Sequence, residues 1–180
     1  MTSRRRLIAL SLGVLALPGA AWAAEPVKIA FVDTGNTGRS LMAERLARAL
    51  AARDGLHVAV ISRGLDVDPF DEAPEAHART LMAERGLDVT GHLARPLAAG
   101  DIAHADVVLT MTAAHLKTVL MRYPKARGKA FTLARYAAAE DVAIPDAWGK
   151  PMADYRAVLA QLDRYLPPAL ARAMAKPKAK

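Results

Sequence analysis

Residues 33–40 have the side chains and spacing that an oxyanion-binding loop requires. The run consists of Asp33, Thr34, Gly35, Asn36, Thr37, Gly38, Arg39 and Ser40. Gly35 and Gly38 allow the backbone to fold back with its amides pointing inward, and a helix that begins near Ser40 adds free N–H groups. Arg39 offers a planar, two-pronged donor that matches phosphate, and we expect Asn36 to support the loop from within. The pattern predicts a site for phosphate or another oxyanion, and the alternative is a glycine turn that binds nothing.

This loop lies between a short apolar strand, Val27 to Val32, and an amphipathic helix with Leu41 and Leu46 on its inner face. Further predicted strands are His57 to Ser62, Ala105 to Met111 and Ala130 to Leu133, and further predicted helices are Ala73 to Arg85, Ala113 to Arg122 and Met152 to Tyr165. Because strands and helices alternate along the chain, the sequence predicts an α/β fold: a doubly wound, four-stranded parallel sheet with helices on both faces. In such sheets ligands bind beyond the carboxyl ends of the strands, where the loop begins.

The amino terminus has the composition of a secretory signal peptide. Three arginines at positions 4–6 precede an apolar run from Leu7 to Leu17, and the small-residue site Ala21, Trp22 and Ala23 follows. The apolar run is about 11 residues long, well short of the roughly 20 that span a bilayer. We therefore expect cleavage of residues 1–23, a periplasmic or otherwise secreted protein, and no stable membrane anchor after cleavage.

The remaining length suits one domain, predicted over residues 24–170, followed by a basic tail over residues 171–180. The formal net charge is +7. Three of these charges are the signal-peptide arginines and three are the tail lysines at positions 176, 178 and 180, so the body carries only +1. Excess charge that is confined to the ends is more typical of solvation than of recognition, and no nucleic-acid partner is expected.

The chain contains no cysteine. A disulfide framework, a thiolate metal site and a redox pair are therefore excluded. The five histidines show neither HxH nor HExxH spacing, so we interpret them as surface or packing residues. The sequence predicts no metal site and no cofactor.

From about Val27 to Leu166 the chain resembles the low-molecular-weight protein tyrosine phosphatases, whose loop often reads CTGNTCRS where this chain has DTGNTGRS. Further matches in the same order are Ser62-Arg63-Gly64, the segment from Gly91 to Leu97, the strand and helix around Met111 and His115, the loop at Asp146, and the last helix with Tyr155. The resemblance implies that Arg39 holds the phosphate oxygens, that Asp146 protonates the leaving oxygen, and that Trp148 forms a wall of the pocket. Ser40 matches the residue that stabilises the family's thiolate.

At several positions this sequence differs from the pattern of the family. Asp33 occupies the position of the nucleophilic cysteine, and Gly38 replaces the second loop cysteine. Ala94 stands where the family has serine, and Ala147 where a proline usually follows the acid. Because no thiol is present, the family's thiophosphoryl intermediate cannot form. Arsenate reduction is excluded as well, since it requires several thiols.

The first hypothesis makes Asp33 the loop's own anion. Its carboxylate would accept the inward amides and pair with Arg39, keeping the loop folded and empty. A phosphate at about 4 Å would meet a repulsion on the order of 4 kcal/mol at an effective dielectric near 20. The chain would then be an exported, impaired or inactive phosphatase-like protein that keeps an oxyanion-binding loop.

Two alternatives stay open. Asp33 could attack phosphorus and form an aspartyl phosphate with Asp146 as general acid, making the chain an active phosphomonoesterase on a phosphorylated protein or small phosphomonoester. Enzymes of that kind generally use magnesium. Asp33 does not begin a DxD motif, since position 35 is glycine, but Asp33 and Asp146 together could hold the ion. In the third hypothesis the protein is a non-catalytic interaction module of the cell envelope.

Overall fold

A computed structural model describes residues 25–175. Residues 1–24 and 176–180, which include the predicted signal peptide and the end of the predicted tail, lie outside the described part. The elements in chain order are β1 (Val27–Asp33), α1 (Arg39–Asp54), β2 (Val58–Gly64), α2 (Ala76–Glu84), α3 (Ala99–His104), β3 (Val107–Thr110), α4 (Ala113–Arg122), a 3-10 turn (Pro124–Ala126), β4 (Ala130–Thr132), α5 (Leu133–Ala138) and α6 (Met152–Ala175).

The strands form one four-stranded sheet in the order β2-β1-β3-β4, and every pairing is parallel. The apolar run of β1 is buried between β2 and β3, as expected for the central strand of a parallel sheet. The predicted fold class is confirmed.

Residues of β1 point alternately to two apolar clusters, one on each face of the sheet. Ile29 and Phe31 belong to the cluster that includes residues of α1, α2 and α6. Ala30 and Val32 belong to the cluster that includes Ile102 of α3 and residues of α4. Since a strand buries both of its faces only when both are covered, this alternation places helices on the two sides of the sheet.

Helix α6 is longer than the sequence predicts. The predicted end at Tyr165 is wrong: the helix continues through Pro167 and Pro168 to Ala175. Both prolines are exposed, whereas Leu170 and Ala173 beyond them are buried in the core. Burial of these apolar side chains outweighs the helix-breaking tendency of proline, and the first five residues assigned to the tail are helical.

Two short helices were not predicted. Each of α3 and α5 has 6 residues, which is less than two turns and too short to show a helical period in sequence. Over residues 25–175 no helix has the length and apolar character needed to cross a membrane.

Parallel pairing brings the loop to the carboxyl edge of the sheet. Asp33, the last residue of β1, lies opposite Gly64 of β2. A Cβ atom on Gly64 would lie 2.7 Å from the carbonyl oxygen of Thr34, so glycine is what allows the loop to pack this closely against β2.

Candidate functional site

The loop between β1 and α1 encloses the carboxylate of Asp33. The backbone N–H of Asn36 donates to Asp33 Oδ1 at 2.7 Å, and that of Ser40 donates to Oδ2 at 2.8 Å. Asp33 is only 2% exposed. Its two carboxylate oxygens therefore take N–H groups that an oxyanion-binding loop would offer to its ligand.

Arg39 points toward the loop after α5, and the ion pair with Asp33 that we expected is not formed. Arg39 Nη2 lies 3.0 Å from Asp146 Oδ2, and Arg39 Nη1 donates to the carbonyl of Ile144 at 3.3 Å. The backbone N–H of Ile144 donates to Met111 O at 2.8 Å, which fixes this loop beside β3. Asp146 is therefore the counter-ion of Arg39, while the two oxygens of Asp33 accept hydrogen bonds from backbone amides.

Asn36 supports the loop from within. Its backbone adopts a left-handed conformation with φ 61°, which asparagine tolerates better than most residues. Its side-chain amide donates to Ser40 Oγ at 2.9 Å and accepts from the backbone N–H of Arg95 at 2.9 Å. The carbonyl of Asn36 is 2.7 Å from His92 Nε2. These contacts tie the loop to the segment Gly91–Leu97 that carries part of the family resemblance.

Glu75 is a site residue that the sequence did not reveal. A Cβ atom on Gly38 would lie 2.6 Å from Glu75 Oε1, so Glu75 uses the space left by the absent side chain. Thr37 Oγ1 donates to Glu75 Oε1 at 3.0 Å, and the hydroxyl of Tyr155 donates to Oε2. Burial raises the pKa of the Glu75 carboxyl, although these two hydrogen bonds oppose the shift. Burial, followed by the bond to Glu75, raises the pKa of Tyr155.

His115 also contacts the loop. Its Nε2 lies 3.0 Å from Thr34 Oγ1. Burial and the charge of Arg39 lower the pKa of His115, while Asp33 and Asp146 act in the opposite direction. His92 and His115 therefore support the loop rather than lying apart from it, and the only sequence signal for this was their place in the family pattern.

The mouth of the loop is a pocket of about 310 Å³. Trp148 lines this pocket and is 67% exposed. Of the charged side chains from residues 25–175 that line it, Arg39 is the one cation, and the carboxylates are Asp33, Asp66, Asp68, Asp71, Glu75 and Asp146. This acidic lining was not anticipated, although three of the aspartates follow β2 directly, where a parallel sheet places its binding loops.

Comparison with known proteins extends this picture. The family model described as low molecular weight phosphotyrosine protein phosphatase matches residues 28–179. The chain belongs to this family. The protein-arginine-phosphatase of Bacillus subtilis (strain 168) is 34% identical over 138 residues, covering 77% of this chain and 91% of that protein. The low molecular weight protein-tyrosine-phosphatase Etp of Escherichia coli (strain K12) is 31% identical over 136 residues, covering 76% and 87%.

Solved structures of the phosphatase family agree. A YwlE mutant from Bacillus subtilis superposes with a TM-score of 0.76 at 32% identity, covering 81% of this chain and 97% of that one. A YwlE arginine phosphatase mutant with a phosphorylated active-site serine superposes with a TM-score of 0.79 at 30% identity, covering 84% and 98%. The resemblance inferred from sequence is confirmed.

The loop of this chain differs in its chemistry from the cysteine-containing loop that the family resemblance implies. It has no cysteine, and the residue at the centre of the loop is a carboxylate that backbone amides already hold. Across residues 25–175 no three His, Cys, Asp or Glu side chains are grouped so as to hold a metal ion. The fold of the phosphatase family is therefore present with a carboxylate at the centre of this loop.

Proposed function

We propose that this protein is a phosphatase-like module whose hydrolytic activity is lost or severely impaired because Asp33 fills the oxyanion loop from inside. The observation that carries the proposal is the pair of hydrogen bonds from the amides of Asn36 and Ser40 to the two oxygens of Asp33. A phosphate would have to displace this carboxylate from those donors or bind beside it.

The charges at the mouth of the loop also oppose the binding of an oxyanion. The repulsion between a phosphate and Asp33 is on the order of 4 kcal/mol at about 4 Å and an effective dielectric near 20. Arg39 is held by Asp146 at 3.0 Å, and the further carboxylates of the pocket add negative potential. Oxyanions should therefore bind weakly at the loop near neutral pH, and removal of the Asp33 charge should strengthen their binding.

The test is hydrolysis of an aryl phosphate by the parent protein and by Asp33→Cys and Asp33→Asn variants, each with and without magnesium. We expect an inactive parent, an inactive Asn variant and measurable turnover by the Cys variant. That result would mean that Arg39, Asp146 and the loop remain competent and that the nucleophile alone is missing. Turnover by the parent that disappears in the Asn variant would refute the proposal.

The second candidate is an active phosphomonoesterase with Asp33 as nucleophile. The observation that favours it is the related YwlE arginine phosphatase mutant with a phosphorylated active-site serine, where an oxygen at an active site of this fold holds a phosphoryl group. Here a carboxylate oxygen of Asp33 would attack phosphorus, and the leaving alkoxide or phenolate would take a proton from Asp146. Water would then hydrolyse the aspartyl phosphate and release inorganic phosphate.

These two functions differ in one chemical product. An active enzyme would form a covalent phosphoryl-Asp33 intermediate, which hydroxylamine or borohydride traps after brief mixing with substrate. A labelled Asp33 peptide found by mass spectrometry would establish the second candidate. Indifference of both parent and Cys variant to phosphate esters would favour an interaction module instead.

We also propose that the protein acts outside the cytoplasm. Support comes from the arginines at positions 4–6, the apolar run from Leu7 to Leu17 and the small residues before position 24. Fractionation of cells that express the full chain, with mass spectrometry of its amino terminus, tests this. A cytoplasmic protein that keeps residues 1–23 would refute it.

A further inference from the structure

A second pocket lies behind the loop, where Asn36 contacts the Gly91–Leu97 segment. Its volume is about 180 Å³, and its charged lining consists of Glu44, Arg45, Arg48, Arg63, His92 and Arg95. We call the part lined by the four arginines the arginine cleft. The arginine cleft is positively charged, whereas the pocket at the mouth of the loop is negatively charged because its lining has six carboxylates and Arg39.

Two of these arginines are already paired. Arg63 forms an ion pair with Asp101 at 2.9 Å and donates to the carbonyl of Ser62 at 2.8 Å. Arg48 pairs with Glu44 at 2.8 Å and donates to the carbonyl of Val60 at 2.7 Å. Their positions are therefore fixed by the protein.

The other two guanidinium groups have no such partner. The side chains of Arg45 and Arg95 form no hydrogen bond or ion pair with any of residues 25–175. Arg45 Nε is buried without a partner. A buried donor left unsatisfied is costly, and a planar guanidinium is well matched to a tetrahedral oxyanion.

No carboxylate in the lining is free to neutralise these two charges. Glu44 is ion-paired with Arg48 and accepts a hydrogen bond from the hydroxyl of Ser62. Outside the lining, hydrogen bonds from Thr90 lower the pKa of Asp88, and the nearby charge of Arg45 lowers it further. Asp88 therefore offsets part of the Arg45 charge, while no carboxylate of residues 25–175 forms an ion pair with Arg95.

We propose that the arginine cleft binds a phosphate group, either as inorganic phosphate or at the end of a small monoester. The cleft is smaller than the roughly 300 Å³ at which pockets for drug-sized ligands begin, so one tetrahedral anion suits its size. Arg45 and Arg95 supply the unused donors, and Arg48 and Arg63 add positive potential. The cleft shares no lining residue with the pocket at the mouth of the loop, so this proposal does not depend on the fate of Asp33.

The experiment is titration of the full protein with inorganic phosphate and, in parallel, with phenyl phosphate, followed by backbone amide chemical shifts. The expected result is saturable binding that shifts residues 61–63 and 91–95. A phenyl phosphate affinity at least equal to that of inorganic phosphate would identify a monoester as the ligand. Preference for the inorganic ion would identify free phosphate.

The variants are Arg95→Ala, Arg45→Ala and the double change, with Arg127→Ala as the matched control. Arg127 is an exposed arginine outside the cleft lining. We expect the double variant to bind phosphate at least tenfold more weakly and Arg127→Ala to bind like the parent. Since Arg95 is exposed, its single substitution should leave the fold intact, which circular dichroism checks.

Three results would overturn the inference: no saturable binding, unchanged affinity in the folded double variant, or shifts centred on residues 33–35 and 37–39, which surround the mouth of the loop. The last result would also contradict the proposed blockade by Asp33. The first two would leave that proposal untouched, so the two failures are distinguishable.

Discussion

Replacement of Asp33 by alanine should weaken the folded state and strengthen phosphate binding at the loop. In the parent, the carboxylate accepts the N–H groups of Asn36 and Ser40 at 2.7 and 2.8 Å. Leaving buried donors unsatisfied costs about 1–3 kcal/mol each. Because Asp33 lines the pocket, water can enter the vacated space, and we expect a loss near the lower end, about 2 kcal/mol in the free energy of unfolding.

The same change removes the charge that opposes phosphate. Relief of a repulsion on the order of 4 kcal/mol corresponds to a gain of several hundredfold in affinity, since about 1.4 kcal/mol is a factor of ten. A phosphate concentration of about 100 times Kd would then add about 2.7 kcal/mol to the variant's stability. Phosphate should therefore restore the stability that the Asp33→Ala substitution removes.

The assay is urea unfolding of parent and variant with and without phosphate, combined with calorimetric titration. General stabilisation by phosphate as a salt affects both proteins, so the difference between them is the quantity of interest. Asp33→Ala/Arg39→Ala is the control and should lose the gain in affinity. If Asp33→Ala binds phosphate at residues 34–40 no better than the parent, Asp33 is not the group that keeps the loop empty.

Three further predictions follow from the packing. Burial raises the pKa of Glu75 in the folded state above its value in the unfolded chain. The contribution of the Glu75 carboxyl to stability is therefore fully present below its pKa in the unfolded chain and is lost as the pH rises through its pKa in the folded protein. Urea unfolding from about pH 4 to about pH 8 should show a smaller decline in stability for Glu75→Gln than for the parent; an equal decline would contradict this. Gly38→Ala would place a Cβ atom 2.6 Å from Glu75 Oε1 and should reduce stability by about 1–2 kcal/mol, the scale of overpacking. Chemical denaturation should show that loss largely absent when Gly38→Ala is combined with Glu75→Ala, and an additive result would argue against the clash. Pro168→Ala, at an exposed position inside α6, should raise stability by about 1–2 kcal/mol, part of the roughly 3 kcal/mol cost of proline in a helix. A thermal midpoint at or below that of the parent would count against it.

The main elements of the fold could be predicted because their signals are local. The apolar strand before Asp33 and the helical spacing of Leu41 and Leu46 place a loop at the end of a buried strand. Helix α4 has the predicted bounds, Ala113–Arg122. Its start is marked by Thr112, whose side chain accepts the N–H of His115 at 3.1 Å. The end of α6 was missed because Leu170 and Ala173 find a core that no local pattern reports.

The sequence by itself determined the family, the oxyanion-loop pattern and the lack of any thiol to act within it. These features depend on residue types and short-range spacing, which the order of residues fixes. Only the tertiary structure decided that Asp33 is held by amides while Arg39 pairs with Asp146. It also decided that Glu75 uses the space beside Gly38 and that four arginines share one cleft. Such contacts join residues far apart in the chain, and their partners are chosen by competition among donors, acceptors and charges that meet only after the sheet has formed.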